Sequence, residues 1–273
     1  MGIQFTREVA EWYDDYRTTF YNYQKDAEHA AEIIRELRPN ARRILEVGVG
    51  TANLAIELAK LDFDVDGIDN SPFMLNIAQS KIDRERSQLG RRITLSSRRC
   101  ENMNLEGDTR LHPPYDVVVS HGLFMFIGQR AGLAYASYIM KRGGNREAFD
   151  RIHGYTAEYR KKGKGGLLLI NTIRDYQPER RERSPVEIPG GGQWNVSIDL
   201  RPYDNQGRGK LWTHYTHENP GKKSKTYSFE KSVFRKEEID ADLRSAGFEF
   251  VDDRFDRTGN RGFYVWQRKV ETV

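Results

Sequence analysis

A short apolar segment that runs into a glycine-rich turn constrains the fold of this chain more than any other feature. Residues 43–53 read Arg-Ile-Leu-Glu-Val-Gly-Val-Gly-Thr-Ala-Asn. β-Branched and aliphatic residues favour a buried strand, while Gly48 and Gly50 can adopt backbone angles that other residues avoid. Glycines also let a ligand approach the main chain closely. The segment therefore predicts a strand, a ligand-binding turn and the first turn of a helix.

An acidic residue follows at the spacing of a ribose-binding site. Asp69 ends a second apolar run, residues 63–68, about twenty residues beyond the turn, from where a carboxylate can reach the hydroxyls of a ribose. We therefore expect the glycine turn and Asp69 to belong to one site.

Alternating strand and helix patterns predict the rest of the fold. Five apolar runs are typical of buried strands: residues 43–47, 63–68, 92–96, 115–120 and 165–173. Helical patterns between them imply parallel strands joined by right-handed crossovers, with helices on both faces. The predicted fold is α/β, a Rossmann-like doubly wound, seven-stranded, mostly parallel sheet. Residues 128–164 are interpreted as helical, and strands 248–255 and 262–268 are expected to close the sheet as its antiparallel edge.

The pattern changes divide the chain into four predicted parts. They are a helical lid at 1–40, a ligand-binding core at 41–174, an antiparallel substrate-side insertion at 175–232, and a C-terminal helix with the closing strands at 233–273. The tyrosine-rich N-terminal segment is consistent with packing of a helix on the sheet or with a lid over a pocket.

Composition limits the kind of partner. The chain has 273 residues, with 44 Lys and Arg against 40 Asp and Glu, too balanced for a dedicated nucleic-acid binder. One cysteine excludes an internal disulfide and favours the reducing cytoplasm. No apolar run is long enough for a membrane span or a signal peptide, so a soluble protein is expected, and a homodimer is left open.

Three details favour one class of ligand for the glycine turn. Glu46, two residues before Gly48, would repel a dinucleotide pyrophosphate but suit a ligand bearing a sulfonium and an ammonium group. Asn53 stands where the dinucleotide fingerprint has its third glycine. A helix before the first strand and a closing strand pair after the last helix also differ from a dinucleotide domain.

At this point the chain resembles the class I S-adenosylmethionine-dependent methyltransferases over nearly its whole length. The resemblance lies in Glu46-Val47-Gly48-Val49-Gly50-Thr51-Ala52, in Gly67 to Leu75, in Tyr115 to Ser120 and in Lys164 to Ile170. The insertion and the tyrosine-rich N-terminus are similar to small-molecule N-methyltransferases of the glycine and amino-sugar type. The resemblance implies S-adenosylmethionine as cofactor, S-adenosylhomocysteine as product and a small-molecule acceptor.

The resemblance also implies roles for individual residues. Gly48 and Gly50 would pass the methionine part of the cofactor, Asp69 would hold the ribose diol, and Asn70 and Met74 would flank the adenosine. Ser120 and His121 would lie beside the transferred methyl group. Cys100 and Glu101 are the candidates near the adenine amino group, where many relatives have an aspartate. The cofactor-binding set predicted in this way is Glu46, Gly48, Gly50, Asn53, Asp69, Asn70, Met74, Cys100, Glu101 and Ser120.

The acceptor side depends on fewer signals. His121 follows the fourth strand and is predicted to be a base or an orienting group, or else a hydrogen-bonded wall of the pocket, and Tyr16 is predicted to orient the nucleophile. Further residues are predicted to contact the acceptor: Tyr13, Tyr21, Tyr176, Trp194 and His214.

Other functions remain as alternatives. An RNA or protein methyltransferase is suggested by basic clusters at 160–164 and 221–225, and a non-catalytic cofactor-binding module and an NAD oxidoreductase are also compatible with a glycine turn. A metal site at His214 and His217 is rejected, because residues three apart on a strand point to opposite faces.

Overall fold

The computed structural model alternates helices and strands along the chain. It describes residues 5–104, 108–129, 132–139, 143–159, 164–173, 186–187, 192–202, 208–218, 221, 223–259 and 261–270. The helices in this part of the chain are α1 (Arg7–Phe20), α2 (Tyr23–Leu37), α3 (Asn53–Lys60), α4 (Pro72–Arg84), α5 (Arg86–Leu89), α6 (Gly144–Tyr155) and α7 (Lys236–Ser245), with a 3-10 turn at Cys100–Asn102.

The strands lie between these helices and in the predicted insertion. They are β1 (Arg43–Val47), β2 (Asp64–Asp69), β3 (Ile93–Ser97), β4 (Val117–Ser120), β5 (Phe124–Gln129), β6 (Gly132–Ser137), β7 (Glu158–Tyr159), β8 (Lys164–Gly165), β9 (Leu167–Ile173), β10 (Val186–Glu187), β11 (Gln193–Pro202), β12 (Gly209–Glu218), β13 (Lys225–Arg235), β14 (Phe248–Phe255) and β15 (Arg261–Arg268).

Seven strands form the predicted core sheet in the order β3-β2-β1-β4-β9-β15-β14. The pairs among β3, β2, β1, β4 and β9 are parallel, and β15 pairs antiparallel with β9 and with β14. This confirms the predicted α/β fold and its antiparallel edge. The carboxyl ends of the parallel strands meet at one edge, where ligands bind in folds of this kind.

Both faces of this sheet are covered by helices. Neighbouring strand residues alternate between two apolar clusters: Ile44 packs with one cluster and Leu45 with the other, and Val117 and Val118 divide in the same way. Since side chains of a strand point alternately to its two faces, a strand that is apolar at every position must be buried on both.

Two local sequence signals set the start of α4. Ser71 caps the helix, because its hydroxyl accepts a hydrogen bond from the Met74 backbone N–H at 3.3 Å, and Pro72 occupies the first turn.

The helical interpretation of 128–164 is wrong for its first part. Phe124–Gln129 and Gly132–Ser137 form the β5–β6 hairpin, and among the described residues of this region only α6 is helical. β5 pairs with β9 at Phe126 and Ile127, and β6 pairs with β13. The hairpin is thus stabilised by partners distant in sequence, which a local helical pattern does not report.

The hairpin joins the inserted strands to the core. β10, β11, β12 and β13 are antiparallel, as predicted, but through β6 and β5 they extend the core into one continuous sheet rather than a separate insertion. Helix α1 packs on this extension through an aromatic cluster of Trp12, Tyr16, Trp194, Tyr215 and Tyr227. In the described part of the chain, no helix combines the length and the apolar character needed to cross a membrane.

Candidate functional site

The glycine turn after β1 is held against the end of β2. The backbone N–H groups of Gly48 and Val49 both donate to the Ile68 carbonyl, at 2.8 and 3.0 Å. Gly48 and Gly50 have φ angles of +74° and +57°, which glycine adopts without strain. A Cβ at Gly48 would lie 2.7 Å from the Leu123 Cβ, so this position also lacks room for a side chain.

Asp69 connects the turn to the helix that follows. One carboxylate oxygen accepts from the Gly50 N–H at 2.9 Å and the other from the Ser71 N–H at 2.8 Å. Burial raises the pKa of Asp69, although backbone hydrogen bonds from Ser71, Gly50 and Asn70 oppose the shift. An ionised carboxylate has about four acceptor positions, so these backbone hydrogen bonds do not use all of them and leave room for a ligand's hydroxyl group.

Glu46 lies behind the turn. Its side chain is 2% exposed, and within the described residues its Oε2 has no hydrogen-bond partner. Burial, and in smaller part the charge of Asp69, raise the pKa of Glu46 well above the usual value, against a hydrogen bond from the Ala55 backbone. A buried acceptor without a partner at this position fits a ligand that brings a positive charge or a donor.

A cavity of about 860 Å³ opens beside the turn. Its volume lies within the usual range for small-molecule sites and is large enough for a cofactor together with a small acceptor. Gly48, Gly50 and Asp69 line one end, and α1, β12 and β13 supply much of the other. Ten predicted site residues line it: Tyr13, Tyr16, Gly48, Gly50, Asp69, Asn70, Met74, Cys100, Glu101 and His121.

Other predicted site residues do not line this cavity. Glu46 is buried behind the turn, and Asn53 belongs to a polar network beside it. Tyr21 lines a second cavity of about 390 Å³, which also contains His121. The His214 ring bonds the Ser228 hydroxyl at 2.7 Å, and Trp194 is 2% exposed and packs 4.5 Å from Trp12 between ring centroids. Tyr176 lies outside the described residues.

A polar network connects α1 to the glycine turn and the start of α3. Asp14 Oδ1 accepts from the Thr51 hydroxyl at 2.5 Å and from the Asn53 amide at 2.8 Å. Asp14 Oδ2 meets the Lys81 ammonium at 2.8 Å, and Lys81 also donates to the Asn53 side chain. Asn53 therefore positions α1 over the turn.

Ser120 closes the turn that carries His121. Its hydroxyl accepts a hydrogen bond from the Phe124 N–H at 3.1 Å and lies 3.2 Å from the Phe124 carbonyl. The Ser120 hydroxyl is therefore hydrogen-bonded within the chain. The Gly122 N–H donates to the Asn171 side chain at 2.8 Å. Strand β15 pairs with one edge of β9. On the other edge β9 pairs first with β4 and then with β5, and the turn that carries His121 separates these two strands beside the cavity.

His121 forms the most specific polar pair at the turn. Its Nε2 lies 3.0 Å from Asp26 Oδ2, and the rings of Tyr21 and Tyr23 pack on it with centroids 5.8 and 5.4 Å away. In a neutral ring, donation from Nε2 to Asp26 leaves Nδ1 as the acceptor. The arrangement orients the imidazole and favours a proton-accepting nitrogen.

The two predicted tyrosines on α1 are donors rather than bases. Burial is the main cause that raises the pKa of both Tyr13 and Tyr16. Both phenols stay protonated at neutral pH. The Tyr16 hydroxyl is hydrogen-bonded to Tyr215, whereas that of Tyr13 can donate into the cavity.

The region of the predicted adenine contacts is partly buried. Cys100 is 5% exposed, and burial raises the pKa of its thiol. The Glu101 carboxylate lies 3.6 Å from Arg99. A neutral thiol and a carboxylate therefore line the cavity side by side.

Sequence reasoning missed several residues of the acceptor side. Arg17 and Lys231 line the cavity, as do Tyr138 and Lys210. The charged ones belong to amphipathic stretches where a charge ordinarily faces solvent, so the sequence held no distinguishing signal. Within the described residues, no group of three or more His, Cys, Asp or Glu is arranged to hold a metal ion.

Alanine at Gly48 is expected to weaken S-adenosylhomocysteine binding about tenfold and to destabilise the fold by about 1–3 kcal/mol, because it combines a positive φ with the contact at Leu123. Calorimetry and urea unfolding measure the two effects. Gly90→Ala is the matched control, since φ there is +61° and nothing lies within 4 Å of an added Cβ. Equal losses of affinity in both variants would contradict the prediction.

Glutamine at Glu46 is expected to stabilise the ligand-free protein increasingly as the pH rises. With a raised pKa in the fold, the carboxyl group contributes stability below the usual glutamate pKa and loses it as the pH rises through the folded pKa. Urea unfolding at about pH 5 and about pH 8 measures the difference. Glu57→Gln, on α3 and paired with Lys60, is the control. A variant that is less stable than wild type at the higher pH would refute this explanation.

Sheet order, glycine turn and carboxylate together define a class of fold. The chain has the Rossmann-like α/β fold of the class I methyltransferases, with a mixed and mostly parallel core sheet. Residues 44–144 match the model of a family described as "Methyltransferase domain". The resemblance expected from the motifs is confirmed.

Individual proteins show the same likeness. A putative methyltransferase of Geobacillus sp. (strain WCH70) is 51% identical over 140 residues, which make up 51% of this chain and 46% of that protein. The chain thus spans less than half the length of the curated relatives that it matches.

Two solved structures resemble the chain over nearly their whole length. The CcbJ methyltransferase from Streptomyces caelestis has a TM-score of 0.70 at 19% identity, with 98% of this chain and 100% of that one covered. CalS10, an amino pentose methyltransferase from Micromonospora echinaspora, has a TM-score of 0.65 at 20% identity, with 95% and 97% covered. These likenesses establish the fold.

Proposed function

We propose that the chain is an S-adenosylmethionine-dependent methyltransferase that transfers a methyl group to a nitrogen of a small-molecule acceptor, with an oxygen as the alternative. The observation that carries the proposal is the joined turn and carboxylate: Gly48 and Gly50 line the cavity with Asp69, and Asp69 keeps acceptor positions for ribose hydroxyls. The methyltransferase fold and the family match at 44–144 support it.

The cofactor half of the site follows from this proposal. Gly48 and Gly50 bind the methionine part through the main chain, Asp69 accepts from the ribose hydroxyls, and Asn70 and Met74 contact the adenosine. Cys100 and Glu101 lie toward the adenine edge. The partnerless oxygen of Glu46 suits the positive charge of the cofactor across the turn.

The acceptor half aligns an amine and receives its proton. Bound S-adenosylmethionine supplies a methyl group on a sulfonium. Its transfer is a displacement reaction whose rate depends largely on alignment and on the exclusion of water. The aromatic walls from α1, β12 and β13 exclude water. Tyr13 donates a hydrogen bond to the acceptor, Tyr16 orients it as part of the aromatic wall, and His121, oriented by Asp26, accepts the proton that the amine must lose.

A small acceptor is favoured over a polymer. The cavity lies between α1 and the extended sheet and is lined by aromatic side chains, among them Phe5, Trp212 and Phe229. An amino pentose methyltransferase is among the structures with the same fold. The single cysteine supports a location in the reducing cytoplasm. Of the basic clusters that suggested RNA, most of 160–164 lies outside the described residues.

Calorimetry with S-adenosylhomocysteine tests the cofactor directly. Micromolar or tighter binding is expected, and no binding would refute the proposal. Transfer of labelled methyl groups from S-adenosylmethionine into a small-molecule extract then tests the activity. Binding without transfer into any pool would indicate a cofactor-binding module, and transfer only into RNA, with strong salt dependence, would indicate a polymer substrate.

A further inference from the structure

The charges that line the large cavity do not balance. Three of its five cations meet acids: Arg98 lies 3.3 Å from Asp108, Arg99 lies 3.6 Å from Glu101, and Lys210 pairs with Glu230. The remaining lining acid, Asp69, is bonded to backbone N–H groups. Within the described residues, no acid pairs with either of the other two cations, Arg17 on α1 and Lys231 on β13.

The partners that Arg17 does have are weak ones. Its guanidinium lies over the Tyr21 ring, 3.8 Å from the centroid, and more distantly over Tyr13, at 5.6 Å. Its Nε lies 3.3 Å from the Tyr23 hydroxyl. Arginine has five N–H donors in a planar fork that fits an oxyanion, and these contacts occupy few of them.

Lys231 is in a similar position. Its ammonium lies 3.3 Å from the Met125 sulfur, a weak acceptor, and 4.4 Å from the centroid of the Tyr138 ring. Burial, and in smaller part the charge of Arg17, lower the pKa of Lys231 to about 7. Both side chains line the same cavity, and within the described residues neither is paired with an acid.

We infer that the acceptor carries an anionic oxyacid group, a carboxylate or a phosphate, which binds between Arg17 and Lys231. The assignment of the anion to the methyl acceptor rests on the proposed function. The existence of the anion site does not. An anion there would neutralise Arg17, favour the protonated form of Lys231 and accept hydrogen bonds from both side chains.

The position of Arg17 relates the anion to the reacting group. A Cβ built on Gly122 would lie 3.7 Å from Arg17 Nη2, so the guanidinium borders the turn that carries His121. An acceptor whose anionic group contacts Arg17 therefore holds its amine near His121. The class that fits is a small compound with an amine a few bonds from a carboxylate or a phosphate.

Titration with acetate and with inorganic phosphate tests the anion site, with each methionine methyl group followed by NMR. The Met125 signal reports on the site because its sulfur contacts Lys231, while Met74, close to Gly50, reports on S-adenosylhomocysteine. We expect one of the anions to shift Met125, and the tighter of the two identifies carboxylate or phosphate as the group. No shift of Met125 with either anion would overturn the inference.

Three variants make the test specific. Lys231→Met and Arg17→Gln are expected to weaken binding of the anion by about 10- to 100-fold, since each removes a charge-assisted contact. Lys210→Met removes a cation of the same cavity that has its own partner, Glu230, and is expected to change affinity less than about twofold. Equal weakening in all three would mean a general charge effect and overturn the site.

Other measurements keep this result separate from that of the proposed function. Thermal unfolding shows whether each variant folds. If Arg17→Gln does not fold, Arg17→Lys, which keeps the charge but loses the planar fork of donors, is measured in its place. Anion titration is repeated without S-adenosylhomocysteine, so a protein that binds the anion but not the cofactor analogue refutes only the methyltransferase proposal. If Lys231→Met lowers turnover but leaves anion affinity unchanged, the lysine acts on the proton instead and the inference fails.

Discussion

Replacing Asp69 by alanine is expected to weaken the binding of S-adenosylhomocysteine by about 100-fold or more. In the proposed site the carboxylate accepts two ribose hydroxyls, and a hydrogen bond to a charged group contributes about 1.5–3 kcal/mol. The loss of binding free energy therefore reaches about 3 kcal/mol. In addition, the Gly50 and Ser71 N–H groups lose their acceptor, which disorders the turn. Calorimetry of wild type and variant measures the ratio of the two dissociation constants.

Two further variants separate ribose binding from support of the turn. Asp69→Asn keeps one acceptor oxygen and the shape of the side chain, so its affinity is expected between those of wild type and Asp69→Ala. Asp64→Ala removes an exposed carboxylate at the opposite end of the same strand and is expected to bind as wild type does. Undiminished binding by Asp69→Ala would remove the central support for the proposed cofactor.

The cofactor half of the site could be predicted because its determinants are local. Gly48, Gly50 and Asp69 lie within two strand–turn units, and parallel strands bring their carboxyl ends together whatever the rest of the chain does. Even there, the pattern did not show that the Ser120 hydroxyl is used by Phe124, or that Asn53 acts through Asp14 of the N-terminal helix. Those contacts depend on the tertiary arrangement.

The acceptor half could be predicted much less well. It is assembled from α1, the β5–β6 hairpin and strands β12 and β13, which are far apart in sequence and meet only in the extended sheet. The segment that begins at residue 128 has a helical pattern although β6 lies within it, because pairing with β9 and β13 leaves no local signal. Arg17 and Lys231 look like ordinary surface charges until the fold places them in a cavity whose other cations have acids.

The same assembly links the two halves physically. Asp14 on α1 bonds Thr51 and Asn53 beside the cofactor turn, while Trp12 and Tyr16 of the same helix pack on β11 and β12. A helix fixed at both places covers the cavity only when the turn and the inserted strands are both in position. Helix α1 therefore contacts both halves of the site.

Glutamine at His121 is expected to lower kcat by about 100-fold or more at neutral pH, with S-adenosylhomocysteine affinity changed less than about twofold. An amine is mostly protonated at neutral pH and has no lone pair for the methyl group, so a proton acceptor at the β4–β5 turn is required. The defect should shrink as the pH rises, because the free amine then forms in solution without help from the protein. Initial rates across pH, with the acceptor found by label transfer, measure both effects.

Neighbouring residues give the controls for His121. Asp26→Asn keeps the size of the partner but loses its charge, so the imidazole is less well oriented and kcat is expected to fall about tenfold. His29→Gln changes another histidine of the second cavity, one that bonds the Arg254 carbonyl at 3.2 Å, and is expected to leave kcat unchanged. A pH-independent defect in His121→Gln would mean that the ring only shapes the pocket wall, since alignment does not recover when the amine loses its proton.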